Sequence, residues 1–112
     1  MTECLFCRIA KGEIKAGIVA QDDQVVAFRD INPQAPTHIL IIPRAHVPTM
    51  NEVTEAGLLG QMLLQARDLA RAEGLADRGY RLVINTNAEA GQSVFHVHAH
   101  LLGGRRMTWP PG

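Results

Sequence analysis

The spacing of hydrophobic residues along the chain predicts both β-strands and helices. Short apolar runs bounded by turn residues are typical of strands. Asp22-Asp23, between the first two runs, is a tight-turn signal and predicts a hairpin. One further strand is predicted where apolar residues and histidines alternate with period two. The five predicted strands lie at 18–21, 25–30, 37–42, 80–85 and 95–102.

Residues 54–73 carry apolar side chains at helical spacing, which predicts one long helix. Thr54 is its expected N-cap, and Gly74 fits the C′ position. The apolar side chains span an arc of roughly 140°, wide for a helix that covers one sheet face, and Leu64 lies outside the arc. A homodimer would supply a second buried contact; the alternative is a buried helix with one exposed leucine.

Length and composition limit the kind of protein that this can be. A chain of 112 residues predicts one domain, 1–112, with a core of modest size. Eleven acidic and eleven basic side chains balance, which argues against polymeric nucleic acid or an anionic membrane surface as a partner. No apolar run is long enough to span a membrane, and residues 1–4 do not start a secretory signal. A cytoplasmic protein is expected.

Three of the five histidines, His96, His98 and His100, alternate with apolar residues. In a strand they would share one face, with neighbouring imidazoles roughly 6.5–7 Å apart. A solvent-facing strand with a chance run of histidines is the structural alternative. Chemically, the row suits either a metal site or nucleophilic catalysis, because neutral imidazole serves both. The preceding loop Gly91-Gln92-Ser93 can present amides and a hydroxyl to an anion, which favours attack on phosphorus or an acyl group.

This segment resembles the signature of the histidine triad superfamily, three histidines alternating with hydrophobic residues. It reads His96-Val97-His98-Ala99-His100-Leu101-Leu102 here, and further motifs in fitting order resemble the Hint branch. Those motifs are the segments 30–38 and 42–46, the Gly91-Gln92-Ser93 loop and the ending Trp109-Pro110-Pro111-Gly112. The resemblance implies hydrolysis of purine nucleoside phosphoramidates by a homodimer. The implied fold is α+β, a five-stranded antiparallel sheet with one long helix and a short N-terminal helix, whose sheets join in the dimer.

The resemblance also implies roles for individual residues. His98 would be the nucleophile, its Nδ1 proton held by the main-chain carbonyl of His96, while His38 and His100 line the phosphate. Ser93 and Gln92, with loop amides such as that of Gly91, would hold the leaving group, and no metal or cofactor is required. The base would lie among the side chains of Phe6, Ile9, Phe28 and Ile31. Asp30 would accept hydrogen bonds from the ribose hydroxyls, and Asn85 would contact the phosphate or the ribose. Trp109 would lie near the active site of the partner subunit. Without the resemblance, Phe6, Ile9 and His38 read as core residues, and Asp30 and Asn85 as turn residues.

Cys4 and Cys7 form a C-x-x-C at the start of the chain. No strand precedes them, so a thioredoxin-like redox pair is disfavoured, and two plain thiols are one alternative. Histidine triad proteins with this pair can bind structural zinc, and by resemblance His46 and His96 would complete the site. In a regular strand, however, His96 would share a face with His98 and could not also reach the two cysteines. The two expectations agree if the regular strand starts after His96.

Two other functions stay open at this point. A dinucleoside polyphosphate hydrolase of the Fhit-like branch would use the same triad, although the Trp-Pro-Pro-Gly ending favours Hint. A non-catalytic nucleotide-binding interaction module would keep the pocket without turnover. The intact triad and the complete Gly-Gln-Ser loop argue against it.

Overall fold

The computed structural model describes residues 4–112, so the prediction about a secretory signal falls mostly outside it. Two α-helices and five strands form in this range, with short 3-10 turns at Met50–Glu52 and Ala88–Ala90. No helix among the described residues has the length and apolarity needed to cross a lipid bilayer. The elements are α1 (Leu5–Ala10), β1 (Ile18–Gln21), β2 (Val25–Arg29), β3 (Thr37–Pro43), α2 (Ala56–Ala72), β4 (Tyr80–Val83) and β5 (Ala99–Gly103).

The strands form one antiparallel sheet in the order β1-β2-β3-β5-β4, which confirms the predicted α+β architecture. The predicted hairpin joins β1 to β2, and Asp22 Oδ1 accepts the N–H groups of Gln24 and Val25 at 2.8 Å each. These two bonds close the turn and lower the pKa of the Asp22 carboxyl, since they favour its charged form.

Helices cover both faces of the sheet. On one face the fully buried Ile39 and Ile41 of β3 pack with Met62 and other residues of α2. On the other face the alternate residues Leu40 and Ile42 pack with Phe6 of α1. This explains why β3 is a nearly continuous apolar run, since both of its faces are buried. The face that α1 covers only in part is the one that carries the candidate site.

Helix α2 begins later than predicted. It starts at Ala56 with Glu55 as its N-cap, and Glu55 makes no side-chain capping bond, so Thr54 is not the cap. The threonine that does cap a helix is Thr49, which forms a reciprocal capping box with Glu52 around the preceding 3-10 turn. At the other end, Gly74 has φ +75° directly after the C-cap, which confirms its predicted position.

Strand β5 also begins later than predicted, at Ala99. The alternation of core residues is nevertheless present, because Val97, Ala99 and Leu101 are all buried. Before Ala99 the backbone leaves the sheet ladder, and the Val97 N–H donates to Val47 O at 2.6 Å. His96 therefore lies outside the regular strand. The expectation that three histidines share one strand face is wrong for His96.

Candidate active site

The site is built on a row of side chains that crosses three strands. Phe28 of β2 lies opposite Leu40 of β3, which lies opposite His100 of β5. Because residues in register point to the same face of a sheet, these three side chains form one wall. Between the wall and α1 lies an open cleft of about 310 Å³. Its lining is Leu5, Phe6, Ile9, Ile14, Lys15, Ala16, Phe28, Arg29, Asp30, Ile31, Leu40, Ser93, Val94, His98 and His100.

His98 presents a free ring nitrogen to this cleft. Its Nδ1 lies 2.7 Å from the main-chain oxygen of His96, and a carbonyl only accepts, so Nδ1 carries the proton. In the neutral ring Nε2 then holds a lone pair. Burial lowers the pKa of His98, although the His96 carbonyl and Asp30 act in the opposite direction. Phe6 packs against the ring in an edge-to-face arrangement, with ring centroids 5.0 Å apart.

His38 and His100 form a chain whose proton positions are also set by the backbone. The Gln34 N–H donates to His38 Nδ1 at 3.0 Å, so the proton of a neutral His38 is on Nε2. His38 Nε2 lies 2.9 Å from His100 Nδ1, which must then accept. His100 consequently carries its own proton on Nε2. The cleft thus has one imidazole that offers a lone pair and, beside it, one that can donate a hydrogen bond.

Both rings of this chain are uncharged near neutral pH. Burial, reinforced by the neighbouring His98 and His38, lowers the pKa of His100 to about 4. Burial also lowers the pKa of His38, with Asp30 opposing the shift from 3.5 Å away. Any charge that develops in this cleft would therefore meet oriented N–H dipoles rather than imidazolium ions.

The Gly91-Gln92-Ser93 loop reaches the cleft through Ser93 and Val94, whereas Gln92 turns inward. Gln92 Nε2 donates to Pro48 O at 2.9 Å and to Val94 O at 3.1 Å, and its Oε1 accepts the Asn87 N–H at 2.8 Å. The side chain is thus fully used in shaping the loop. Gly91 has φ +85°, a conformation open to glycine, and ends the preceding 3-10 turn.

The other residues expected at the nucleoside divide into two groups. Those in the cleft lining are Phe6, Ile9, Phe28, Asp30 and Ile31. Asn85 and Trp109 are not in the lining, and Trp109 is 82 % exposed within this chain. Of the lining residues, Ile31 is also unusual, because 99 % of its surface is exposed beside the cleft mouth.

Several lining residues were not predicted from the sequence. Leu40 carried a usable signal, since it lies two residues after His38 and shares its strand face. Lys15, Ala16 and Ile14 come from the irregular segment between α1 and β1, where no periodicity marks a face. The Gln34 N–H and the Pro43 carbonyl, which set the proton positions of His38 and His96, are main-chain groups that side-chain patterns do not reveal.

A second cluster lies behind the cleft, where Cys4, Cys7, His46 and His96 place one ligand atom each within 4.8 Å of one another. His96 Nδ1 is 3.4 Å from Cys4 Sγ and 3.5 Å from Cys7 Sγ, and His46 Nδ1 is 3.3 Å from Cys7 Sγ. Tetrahedral zinc bonded to sulfur and nitrogen would separate two such ligands by about 3.6 Å.

The surroundings of His96 also fit a metal ligand. Its Nε2 lies 2.7 Å from Pro43 O, so the proton is on Nε2 and the Nδ1 lone pair faces the two sulfurs. A ligating histidine usually donates its other N–H to a carbonyl or carboxylate in this way. The donor set, two cysteines and two histidines, is one that structural zinc sites use.

Comparison with known proteins gives consistent matches along almost the whole chain. The HIT domain family matches residues 11–107. The purine nucleoside phosphoramidase of Escherichia coli (strain K12) is 54 % identical over 107 residues, covering 94 % of this chain and 90 % of that protein. A HIT family hydrolase from Legionella pneumophila Philadelphia 1 superposes with a TM-score of 0.96 at 58 % identity, covering 98 % of this chain and 100 % of that one. A histidine triad nucleotide-binding protein from Candida albicans has a TM-score of 0.85 at 31 % identity, covering 96 % and 83 %.

Proposed function

The chain belongs to the HIT domain family, and from this premise we propose that it hydrolyses the P–N bond of purine nucleoside 5′-monophosphoramidates. The observation that carries the proposal is the free Nε2 of His98, directed by its Nδ1 bond to the His96 carbonyl into a cleft with an N–H donor beside it. The phosphoramidase activity named for the Escherichia coli relative supports the same reaction class.

In the first step His98 Nε2 attacks the α-phosphorus. A bond forms between Nε2 and phosphorus, the bond between phosphorus and the amine nitrogen breaks, and the amine leaves after gaining a proton. The loop at Ser93, with its hydroxyl and amides, would hold the leaving group and help to protonate it. Negative charge that shifts onto the phosphoryl oxygens would be stabilised by the Nε2–H of His100.

In the second step water attacks phosphorus and loses a proton, which replaces the one that the Ser93 loop passed to the amine. The bond to His98 Nε2 breaks, and the nucleoside monophosphate leaves. The covalent nucleotidyl-imidazole divides one difficult displacement into two easier ones. His98 can serve in both steps because its ring is neutral: Nε2 attacks with its lone pair, and the ring later leaves as a neutral imidazole whose Nδ1–H still donates to the His96 carbonyl. No metal or cofactor takes part.

The nucleoside would be recognised by the apolar half of the cleft. Phe6, Ile9, Phe28 and Ile31 would enclose the base, and the Asp30 carboxylate would accept hydrogen bonds from the two ribose hydroxyls. Asn85 would contact the phosphate or the ribose, as the family resemblance implies, and Gly91 and Gln92 would shape the loop beside it. Cytoplasmic location stays a prediction from the sequence.

The direct test compares turnover on three substrates. We expect rapid hydrolysis of adenosine 5′-monophosphoramidate or its guanosine counterpart, and kcat/KM at least about 100-fold lower on diadenosine polyphosphates. The opposite preference would assign the chain to the Fhit-like activity. Tight binding of purine nucleotides with no turnover of any phosphoramidate would leave a binding module and overturn the proposal.

A structural zinc ion is the second part of the proposal. Cys4, Cys7, His46 and His96 fit Zn²⁺ in donor type and spacing, as described above. Zinc bound there would crosslink α1 to the segment after β3 and to the segment before β5. These three parts of the chain are far from one another in sequence. Protein purified without added metal should contain close to one zinc per chain by atomic emission, and metal-free protein of unchanged melting temperature would contradict this part.

The third part is a homodimer with a joined sheet. β4 is an edge strand, so its free hydrogen-bonding groups are available to a partner's β4. Leu64 on α2 is 50 % exposed, apolar surface that a dimer would bury. Light scattering should give twice the chain mass, and Leu64→Glu should shift the protein toward monomer. Leu5→Glu, at an exposed leucine on α1, is the matched control and should leave the dimer intact.

A further inference from the structure

The active-site cleft has two ends that differ in chemistry. Its wall runs from His100 through Leu40 to Phe28, crossing one strand at a time, and neighbouring strands lie about 4.8 Å apart. Beyond Phe28 the next backbone is the segment before β1, whose last residue accepts a main-chain hydrogen bond of 3.0 Å from the end of β2. Residues 14–16 of that segment therefore lie at the end of the cleft away from the reacting histidines. The proposed dimer joins β4, at the opposite edge of the sheet, and leaves this end open.

This end of the cleft is mostly apolar. Ile14 and Ala16 are half-buried, and both pack against the cluster that contains Phe28, one of the residues that would enclose the base. Lys15, between them, is exposed and is part of the cleft lining. Apolar side chains would cover the flat faces of a bound purine, so the edge of the ring would be left toward solvent beside Lys15.

The charged side chains in the cleft lining are Lys15, Arg29 and Asp30, and two of them are already engaged. Arg29 donates to both carboxylate oxygens of Glu73, at 2.9 and 3.3 Å. Asp30 Oδ2 lies 3.5 Å from His38 Nε2. The Lys15 ammonium makes no hydrogen bond or ion pair within residues 4–112. Its three N–H donors, at the end of a flexible stem, are available to a ligand in the cleft.

We propose that Lys15 determines which base the cleft prefers, and that it favours guanine over adenine. This inference rests on the proposed function, since it places a purine nucleotide in the cleft. An ammonium group donates hydrogen bonds and accepts none. Guanine offers two neighbouring acceptors, O6 and N7, whereas adenine has an N6 amino group beside its N7 acceptor. Lys15 can therefore donate to both atoms of guanine, but in adenine it can donate only to N7 and its charge faces the N6 donor.

The test measures the binding of nucleoside monophosphates, which requires no turnover. Calorimetric titration compares guanosine, inosine and adenosine 5′-monophosphate. Hypoxanthine, the base of inosine, shares O6 and N7 with guanine and lacks the amino group at C2. We expect the guanosine and inosine nucleotides to bind with similar Kd, and the adenosine nucleotide to bind about five- to tenfold more weakly, the low end of what a paired base contact gives. Lys15→Ala should bring the three Kd values within about twofold of one another.

Two further variants sharpen the test. A glutamine amide pairs with N6 and N7 of adenine, so Lys15→Gln should reverse the preference toward adenosine 5′-monophosphate. The matched control is Lys11→Ala, which removes the same charge from an exposed lysine at the end of α1, outside the cleft lining. This control should keep the wild-type ratio of Kd values.

Equal Kd values for the guanosine and adenosine nucleotides in the wild-type chain would overturn the role of Lys15 and leave the proposed hydrolysis standing. Equal weakening of all three nucleotides by Lys15→Ala would show a general attraction to phosphate charge and would also overturn it. A guanosine preference that inosine does not share would mean that the amino group at C2 is recognised, which a donor such as Lys15 does not do. Failure of all three nucleotides to bind would overturn the proposed function together with this inference.

Discussion

His96 and His98 are two residues apart and have opposite chemistry. His96 holds its proton on Nε2, against Pro43 O, and directs a bare Nδ1 toward two cysteine sulfurs. His98 holds its proton on Nδ1, against His96 O, and directs a bare Nε2 into the cleft. Under the proposed function the same side chain would be a metal ligand in one place and a nucleophile in the other, because a backbone carbonyl selects the tautomer. The cysteine cluster should therefore govern stability, and the cleft should govern catalysis.

The largest effect should come from removing the bare nitrogen of His98. His98→Asn keeps an N–H donor for the His96 carbonyl but has no second ring nitrogen, so we expect kcat to fall by about 1,000-fold or more. Steady-state kinetics with adenosine 5′-monophosphoramidate measures the loss. The melting temperature should change little, which separates this variant from those in the cysteine cluster. Turnover close to wild type would remove His98 as the nucleophile.

The next effect tests the proton chain beside the nucleophile. His38→Leu removes the donor to His100 Nδ1 and frees His100 to take the wrong tautomer, and we expect kcat to fall roughly 100-fold. His38→Gln keeps an N–H at the position of the original Nε2 and should recover most of that loss. Equal losses for the two variants would show that packing, rather than the position of a proton, explains the role of His38.

For variants in the cysteine cluster we expect the converse result, a loss of stability without a large loss of activity. Cys7→Ser removes a buried sulfur that lies 3.3 Å from His46 and 3.5 Å from His96. We expect loss of zinc and a melting temperature lower by roughly 10 °C, with kcat within about threefold of wild type at a temperature where the variant is folded. Differential scanning calorimetry and a zinc assay measure both effects. A variant that keeps its stability but loses catalysis would reverse the assignment of the two clusters.

The smallest effect is a pH dependence of stability from His100. Its pKa is about 4 in the folded chain and 6.5 as its ordinary value, so between these values the unfolded chain binds more protons. The free energy of unfolding should then rise with pH from about 4 to 6.5 and level off above. His100→Asn, which never titrates, should flatten this rise by about 1–3 kcal/mol in urea unfolding. An unchanged slope would mean that His100 is not held neutral.

The parts of the fold that follow from local pattern were predictable from the sequence. β1 has its predicted bounds, and α2 ends just before Gly74, as the position of this glycine predicted. The start of β5 was not predictable from alternation, because it depends on the Val97 N–H bond to Val47 O and on contacts of His96 with distant residues. In that segment, contacts with residues distant in sequence determine the backbone path more strongly than the alternation of apolar and polar residues does.

The site shows the same division. Residue types and their order indicated histidine chemistry, and the family resemblance pointed to the reaction. The tautomer of His98 was implied by the resemblance, which gave the His96 carbonyl as the partner of Nδ1. The tautomers of His38 and His96 were not predicted, since main-chain groups of Gln34 and Pro43 set them. The inward turn of Gln92 was equally hidden, because an amide next to a glycine has the same appearance in sequence whether it contacts a ligand or the backbone.

The most direct test of the nucleophile assignment is to trap the intermediate. Acid or base quenching during turnover of adenosine 5′-monophosphoramidate, followed by tandem mass spectrometry, should locate adenosine monophosphate on His98. The adduct should form and decay as fast as the enzyme turns over. Nucleotide on another residue, or an enzyme that turns over with no adduct and with inversion at phosphorus, would contradict the account.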